Sequence, residues 1–287
     1  MSAPILSLVV STLGRDLALG GLLDSLEAQS CRDFEVVVVD QNTDDRLGPV
    51  LSAGAWTFPL RRIRRPGERG LSRGRNVGWR ASGGGILLFP DDDCWYPPDF
   101  LARGLALLEE SGADIVSGRA ADETGRSING RYAPQATDIT RRNVWITQIE
   151  WVAFFRRAVL EAVNGYDETI GVGAASPWQS CEGPDIVLRA LAAGFRGRFD
   201  PALFGHHAEL DTREPDAAMR RKGRAYARGM GYVLRRHGYP PGEAAYWCAR
   251  SLANMGRALI EGSPRRTGYF AELALGRAEG WLKRTLP

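Results

Sequence analysis

A chain of 287 residues can hold one large α/β domain or two smaller units. With 44% apolar and 25% charged residues it is not a disordered chain. A formal net charge of +3 is too small for a general nucleic-acid binder.

The N-terminal stretch has no basic residues ahead of its short apolar run, so it does not read as a signal peptide. Ile5–Val10 is apolar and rich in branched side chains, the composition of a strand buried on both faces. Ser11–Arg15 breaks it, and Leu19, Leu22, Leu23 and Leu26 follow at helical spacing. Phe34–Val39 is a second buried strand that ends in Asp40, which completes a strand–helix–strand unit of a parallel sheet.

Leu60–Arg65 reads as a third strand, Ser72–Ala81 as a helix, and Ile86–Phe89 as a strand running into Pro90 and three aspartates. Pro97 and Pro98 suit the first turn of a helix that continues through Leu108, and Asp114–Gly118 is another strand. Gly118–Thr147 lacks periodicity and is expected to be a mobile loop or a hairpin that shapes an acceptor site. Trp151–Phe155 resumes strand character, and Pro184–Ala193 fits a helix closed by Gly194. Arg196–Phe199 and Ala202–His206 read as edge strands.

After Pro215 the pattern is helical, with breaks at Gly238–Gly242 and Gly262–Pro264. Charge is uneven across this boundary. From Asp216 onward there are about 14 Lys and Arg against about 5 Asp and Glu, and the rest of the chain is acidic on balance. A body at 1–215 and a basic helical region at 216–287 are therefore expected. The basic region is either a solvated face or a contact for an anionic membrane surface or acceptor. No apolar run approaches the roughly 18 residues of a membrane span, so any such contact is peripheral. Cys31, Cys94, Cys181 and Cys248 have no metal-binding spacing and read as reduced structural thiols of a cytoplasmic protein.

Four short patterns carry chemistry. Asp91, Asp92 and Asp93 follow an apolar strand, and their mutual repulsion is relieved by a hard divalent cation such as Mg²⁺ or Mn²⁺ shared with phosphate oxygens. The plainer reading is an acidic turn ahead of the next helix. Gly70–Gly78 contains Arg75, suited to a bidentate phosphate contact, or else to an ordinary basic helix surface. Glu182 and Asp185 open a helix, as caps or as the general base an acceptor hydroxyl needs. His206 and His207 follow a short apolar run and are structural histidines or a metal ligand.

The order of these patterns resembles the family 2 glycosyltransferases, inverting enzymes of the GT-A fold that use nucleotide sugars. The resemblance rests on Val9–Arg15, Ser25–Gln29, Phe34–Asp40, Gly70–Gly78, Leu88–Pro97, Asn164–Glu168 and Glu182–Gly194, and it covers roughly residues 4–210. It implies an α/β fold with a mostly parallel central sheet flanked by helices, followed by a helical C-terminal extension. Carried over position by position, Ser11, Leu13 and Arg15 lie by the base and ribose, with Asp40 and Gln41 under the base. Arg75 faces the diphosphate, Asp92 approaches the ribose, and Asp93 binds the metal with Asp91 in support. His207 completes the metal site at a better offset than His206.

This chain departs from the pattern at two positions. Gln41 stands where relatives usually carry a second acid, which leaves the base of the donor open, with a UDP-sugar favoured. Gly183 stands where relatives carry the catalytic acid, so the base falls to Glu182 or Asp185, with Glu182 favoured. The implied reaction is an in-line, inverting displacement from a nucleotide-diphosphate sugar onto a glycan or lipid-linked acceptor, with Mg²⁺ or Mn²⁺ as cofactor. Bacterial-type polysaccharide or glycolipid biosynthesis is the expected setting, with the protein in the cytoplasm or on the inner face of the cell membrane. The rivals are a non-catalytic sugar-nucleotide or glycan binder on the same fold and a sugar-nucleotide nucleotidyltransferase. The latter needs a glycine-rich loop after the first strand, where Ser11–Arg15 has one glycine.

Overall fold

The computed structural model describes residues 4–54 and 56–286. It opens with β1 (Leu6–Thr12), α1 (Leu17–Glu27), β2 (Phe34–Asp40), α2 (Leu47–Ala53), β3 (Leu60–Arg64) and α3 (Leu71–Ala81). Next come β4 (Ile86–Leu88), β5 (Cys94–Trp95), α4 (Phe100–Ser111), β6 (Ile115–Ala121), β7 (Thr137–Ile139), β8 (Phe154–Arg156) and α5 (Arg157–Ala162). The chain ends with α6 (Glu182–Ala192), β9 (Gly197–His207), α7 (Ala217–Arg236), α8 (Pro241–Ile260) and α9 (Pro264–Leu282).

These elements form two compact units. The first comprises Met1–Tyr166 and Ile186–Glu209, and the second Asp167–Asp185 and Leu210–Pro287. The segment 167–185 thus groups with the C-terminal helices, and the division is not a single cut in the chain.

The first unit is built on a nine-stranded sheet in the order β3-β2-β1-β4-β8-β6-β9-β5, with β7 paired to β9. From β3 to β4 all pairings are parallel. β8 then runs antiparallel between β4 and β6, while β6 and β9 pair in parallel. Every residue of β1 is buried, as are all of β2 except Glu35, because this part of the sheet is covered on both faces. Leu6, Leu8, Val10, Leu19, Leu22, Phe34, Val36, Val38, Phe100 and Phe154 belong to one continuous core. Glycines let α3 sit close against β1 and β2. A Cβ on Gly78 would fall 2.2 Å from Val9 Cγ1, and one on Gly74 would strike the Ser11 hydroxyl.

Several local expectations are corrected. The two expected edge strands near residues 196–206 are one strand, β9, paired on both sides. Pro201 sits where the β6–β9 register shifts, with Ser117 opposite Phe199 but Arg119 opposite Phe204. There Pro201 leaves its carbonyl to accept from Arg119 Nε at 2.7 Å. The start of the expected strand 151–155 is a 3-10 turn at Glu150–Val152, and β8 follows it. The polar stretch 118–147 contains the end of β6, all of β7 and a 3-10 turn at Val144–Ile146. α2 was not anticipated.

In the second unit the interhelical turns fall where the glycines and prolines predict them. α7 starts with the Asp216 carboxylate accepting from Met219 N at 2.7 Å and ends with Arg235 and Arg236 in its last turn, both in accord with the helix dipole. α7 and α9 touch through small residues. A Cβ on Gly276 would lie 2.3 Å from the Arg224 carbonyl oxygen, and one on Gly231 would lie 2.1 Å from that of Arg277. Glycine inside a helix costs about 1 kcal/mol each against alanine; here it permits backbone-to-backbone packing. Glu279 is fully buried in this seam and accepts from Arg224 Nε at 3.1 Å, from Arg228 Nε and from Leu286 N at 2.7 Å. Among the described residues no helix is long and apolar enough to cross a membrane.

Candidate functional site

The carboxyl ends of the parallel strands carry the polar residues. Ser11 and Thr12 end β1, Asp40 ends β2, and Asp91–Asp93 follow β4. Ligands of open α/β sheets bind at this edge.

Asp40 is committed to the fold. One carboxylate oxygen accepts from Asn42 N at 2.9 Å and Asn42 Nδ2 at 2.8 Å, and the other from Arg62 Nε at 2.9 Å. Gln41 ties two elements to the end of β2. Its carbonyl accepts from the Ser11 hydroxyl at 3.3 Å, and its Nε2 donates to the Gly70 carbonyl at 3.1 Å, just ahead of α3. Leu13 is exposed in the loop after β1. In the same loop Gly14, at φ +81°, donates its N–H to Asn42 Oδ1 at 2.7 Å.

Each of the three aspartates meets a basic side chain from a different element. Arg75 lies on the inner face of α3 with only 1% of its surface exposed; its Nη2 is 3.0 Å from Asp91 Oδ1, and its guanidinium stands 5.3 Å from the Tyr166 ring centre. Arg15 reaches from the loop after β1 to Asp92 Oδ1 at 2.7 Å and also to Asp93. His207 Nε2 is 3.2 Å from Asp93 Oδ1.

Strand pairing explains that last contact across such a distance in sequence. β5 begins at Cys94, directly after Asp93, and pairs antiparallel with the end of β9 so that Cys94 faces His207 and Trp95 faces His206. Side chains alternate along a strand, so only one of the two histidines reaches the carboxylates. His206 Nδ1 instead lies 3.1 Å from the Ala121 carbonyl. The His207 and Trp151 ring centres lie 5.8 Å apart, and Trp151 is largely buried.

The electrostatics follow from burial and charge. Asp91 keeps 30% of its side-chain surface, yet the protein around it pushes its carboxyl up to about 6 against the pull of Arg75. Glu150, Asp93 and Asp92 add to that rise. Burial also raises Asp92, opposed by the Thr12 hydroxyl and Arg15. Burial acts on Asp93 too, but hydrogen bonding and charge from His207, with Arg15, outweigh it and hold this carboxyl below its ordinary value. The Asp93 hydrogen bond raises His207 in turn, against desolvation and with help from the Ala208 carbonyl.

His207 Nδ1 lies 2.8 Å from that carbonyl, which places a proton on Nδ1 and turns Nε2 toward Asp93. A metal-ligating imidazole is commonly oriented this way, its second nitrogen donating to a carbonyl. Among the described residues there is no cage of three or more His, Cys, Asp or Glu side chains. Asp93 and His207 are the potential donors of this cluster, and a carboxylate oxygen beside an imidazole nitrogen would suit an ion such as Mn²⁺ that completes its shell from phosphate oxygens and water.

Two residues escaped the sequence reading. Glu150, on a 3-10 turn, is close enough to Asp91 to raise it, and Tyr166 backs Arg75. Tyr166 lies within the Asn164–Glu168 stretch, which marks the segment without giving this ring a role, and Glu150 sits in no pattern that a single sequence reveals.

Glu182 and Asp185 belong to the second unit. Cys181 precedes them at φ +70°, a left-handed conformation that costs a non-glycine residue about 1–3 kcal/mol and recurs at functional sites. Its carbonyl accepts from Asp185 N at 3.0 Å, so α6 starts at Glu182. Glu182 is 5% exposed. Asp185 is fully buried, with Oδ1 2.8 Å from His237 Nε2 and 3.4 Å from Arg236 Nε, while Arg236 also pairs with Asp167 at 2.5 Å. Trp178 stacks on Tyr232 with ring centres 4.6 Å apart.

Known proteins share both fold and sequence with this chain. A mannosyltransferase from Pyrobaculum calidifontis, solved with GDP-Man and Mn²⁺, superposes at a TM-score of 0.67 with 18% identity, covering 99% of this chain and 89% of that one. S. aureus TarS 1–349 superposes at 0.59 with 15% identity, covering 98% and 93%. At such identities the likeness is one of fold, the GT-A fold.

In sequence, a PGL/p-HBAD biosynthesis glycosyltransferase of Mycobacterium bovis is 33% identical over 174 residues, 58% of this chain and 65% of that protein. An uncharacterized glycosyltransferase of Haemophilus influenzae is 35% identical over 107 residues, 37% of this chain. The chain thus spans about a third and just under two thirds of these two relatives. The model of glycosyl transferase family 2 matches residues 7–163, which is more than half of the chain and includes Arg15, Arg75 and Asp91–Asp93; the chain belongs to that family.

Proposed function

We propose that this protein transfers a glycosyl group from a nucleoside-diphosphate sugar to an acceptor hydroxyl, inverting the anomeric carbon. One observation carries the reading: Arg15, Arg75 and His207 converge on three consecutive aspartates at the ligand-binding edge of a parallel sheet. The structure of a neighbour with GDP-Man and another with UDP-GlcNAc support a donor of this class; we favour a UDP-sugar, with a GDP-sugar as the alternative.

Asp93 and His207 would hold Mg²⁺ or Mn²⁺, with Asp91 behind them, and the ion when bound supplies positive charge to the diphosphate oxygens. Arg75, fixed by burial and by Asp91, presents a guanidinium to charge that grows on the departing diphosphate. Asp92 is the carboxylate for the ribose, and Ser11, Leu13, Arg15 and Gln41 flank the nucleoside. Glu182 takes the proton of the attacking acceptor hydroxyl, a role worth on the order of 10²–10⁴-fold in rate. Asp185 is the weaker candidate because its carboxylate already answers His237 and Arg236. The acceptor is a glycan or a lipid-linked molecule in polysaccharide or glycolipid synthesis. The protein works in the cytoplasm, with the basic helices touching an anionic membrane face.

The experiment is a thermal-shift screen of UDP- and GDP-sugars with and without Mn²⁺, followed by nucleoside-diphosphate release from the best donor. Stabilisation that requires both donor and metal, with slow release of nucleotide, is the expected result. Donor binding with no release in the presence of any acceptor would mark a binding module instead. Sedimentation with anionic liposomes, lost on deleting residues from Asp216 onward, tests the membrane contact.

A further inference from the structure

The second unit contains a cavity of about 620 Å³ that the chemistry above does not use. Its volume falls in the range of about 300–1,000 Å³ typical of small-molecule sites. The wall is mainly apolar, with Met219, Met230 and Leu273 beside the rings of Tyr226 and Tyr269. Methionines make such a wall adaptable to an irregular guest.

Three charged residues line the cavity, and each differs in what it has left to offer. The Asp216 carboxylate is used at the N-terminus of α7, where it accepts from Met219 N at 2.7 Å. Lys222 is exposed and stands 5.3 Å from the Tyr226 ring centre. Arg277 is largely buried. Its Nη1 donates to the Trp247 carbonyl at 3.0 Å and to the Ser251 hydroxyl, while its Nε has no hydrogen-bond partner among the described residues. Desolvation lowers its pKa, and the acidic groups that oppose this are the thiols of Cys248 and Cys181 and the Tyr269 phenol, with no carboxylate among them. A buried guanidinium without a counter-anion is costly, and an acidic group brought in by a ligand offsets that cost.

We propose that this cavity binds an anionic amphiphile, its alkyl or isoprenoid body against the apolar wall and its phosphate or carboxylate at Arg277. The cavity also touches the catalytic proposal. Cys181 lines it, and the next residue in the chain is Glu182. The amphiphile is then the lipid portion of the acceptor, its anionic group included, an assignment that rests on Glu182 being the base.

Dodecyl phosphate below its micelle concentration is the probe, with dodecyl maltoside as the uncharged control and phosphatidylglycerol vesicles as the membrane arm. Isothermal titration of the full chain is expected to give one dodecyl phosphate per chain, bound at least about tenfold tighter than the maltoside. Leu273→Trp fills the cavity and should weaken binding at least about tenfold. Met230→Trp does the same from the other helix if the first variant does not fold. Arg277→Gln should remove the preference for the charged head.

No saturable binding, equal affinity for both amphiphiles, or equal affinity in a folded cavity-filled variant would overturn the proposal, as would binding to vesicles alone. The donor-dependent thermal shift of the unaltered chain, measured without amphiphile, tests the glycosyl-transfer reading separately.

Discussion

The assignment of the general base can be decided by two nearly isosteric changes that act on different free energies. Glu182→Gln keeps the shape of the first residue of α6 and removes its charge. The carboxylate's helix N-terminus interaction is worth about 0.3–1 kcal/mol. If Glu182 is the base, transfer slows by about 10²–10⁴-fold, an added barrier of roughly 3–5 kcal/mol. Asp185→Asn does the reverse. It takes the anion away from His237 at 2.8 Å and Arg236 at 3.4 Å inside a fully buried cluster. Breaking such a buried pair costs about 3–5 kcal/mol in general, and about 2 kcal/mol here because Arg236 keeps Asp167. With urea m-values of about 1–3 kcal/mol/M, that lowers the unfolding midpoint by about 1 M while the folded enzyme keeps most of its rate. Nucleoside-diphosphate release and urea titration on both variants are the assays. A slow but stable Asp185→Asn protein beside a fast Glu182→Gln protein would refute the assignment.

Asp93→Ala should abolish the metal-dependent part of donor binding, so that the stabilisation of about 3 kcal/mol expected at a hundredfold excess over Kd disappears from the thermal-shift assay. Arg15→Gln should bind Mn²⁺ alone several-fold tighter and donor more weakly, as read by titration with each, because Arg15 pairs with both Asp92 and Asp93. Gly78→Ala should cost about 2 kcal/mol in urea unfolding and weaken donor binding, since the new methyl would lie 2.2 Å from Val9 and lift the helix that carries Arg75. Glu279→Gln should cost about 3 kcal/mol at neutral pH. Buried but bonded to Arg224 and Arg228, Glu279 has its pKa lowered from 4.5 to about 2, so its stabilisation is complete above about pH 4.5 and is lost as pH falls through about 2. Urea midpoints of the two proteins should converge over that window.

The parts of the fold that could be read from sequence are those whose burial is continuous along the chain. β1 and β2 announce themselves because unbroken runs such as Val36–Val39 belong only to strands covered on both faces. β5 has two residues and β7 three, too few for any period to register, and both exist because β9 offers them an edge. In sequence, Asp200 and Pro201 divide β9 into two apparent strands. Only the partner strand shows that the proline occupies a shift in register.

The site divides the same way. Three aspartates after a strand are legible as a charge problem in need of a cation. Which histidine answers them depends on the β5–β9 register, and which arginine does so depends on the conformation of a loop; a single sequence carries neither. The sequence assigns no role to the glycines at 74 and 78 beyond their place in the Gly70–Gly78 pattern, and in the structure they are the contact surface of α3.

Those contacts separate the two arginines by what each can do. Arg75 has 1% of its surface exposed and is held by Asp91 and Tyr166, so it cannot follow a ligand; a diphosphate must come to it. Arg15 has 47% of its side chain exposed, sits in a loop and grips the carboxylates proposed for ribose and metal. On the proposed chemistry the cation and Arg15 compete for Asp93, and the diphosphate resolves the competition by giving the displaced guanidinium a new anion. Metal and donor then bind together more tightly than either binds alone, because each removes the charge that opposes the other. The salt bridges offset the mutual repulsion of three adjacent carboxylates, and on the proposed chemistry their exchange for a cation and a diphosphate would couple donor recognition to metal binding.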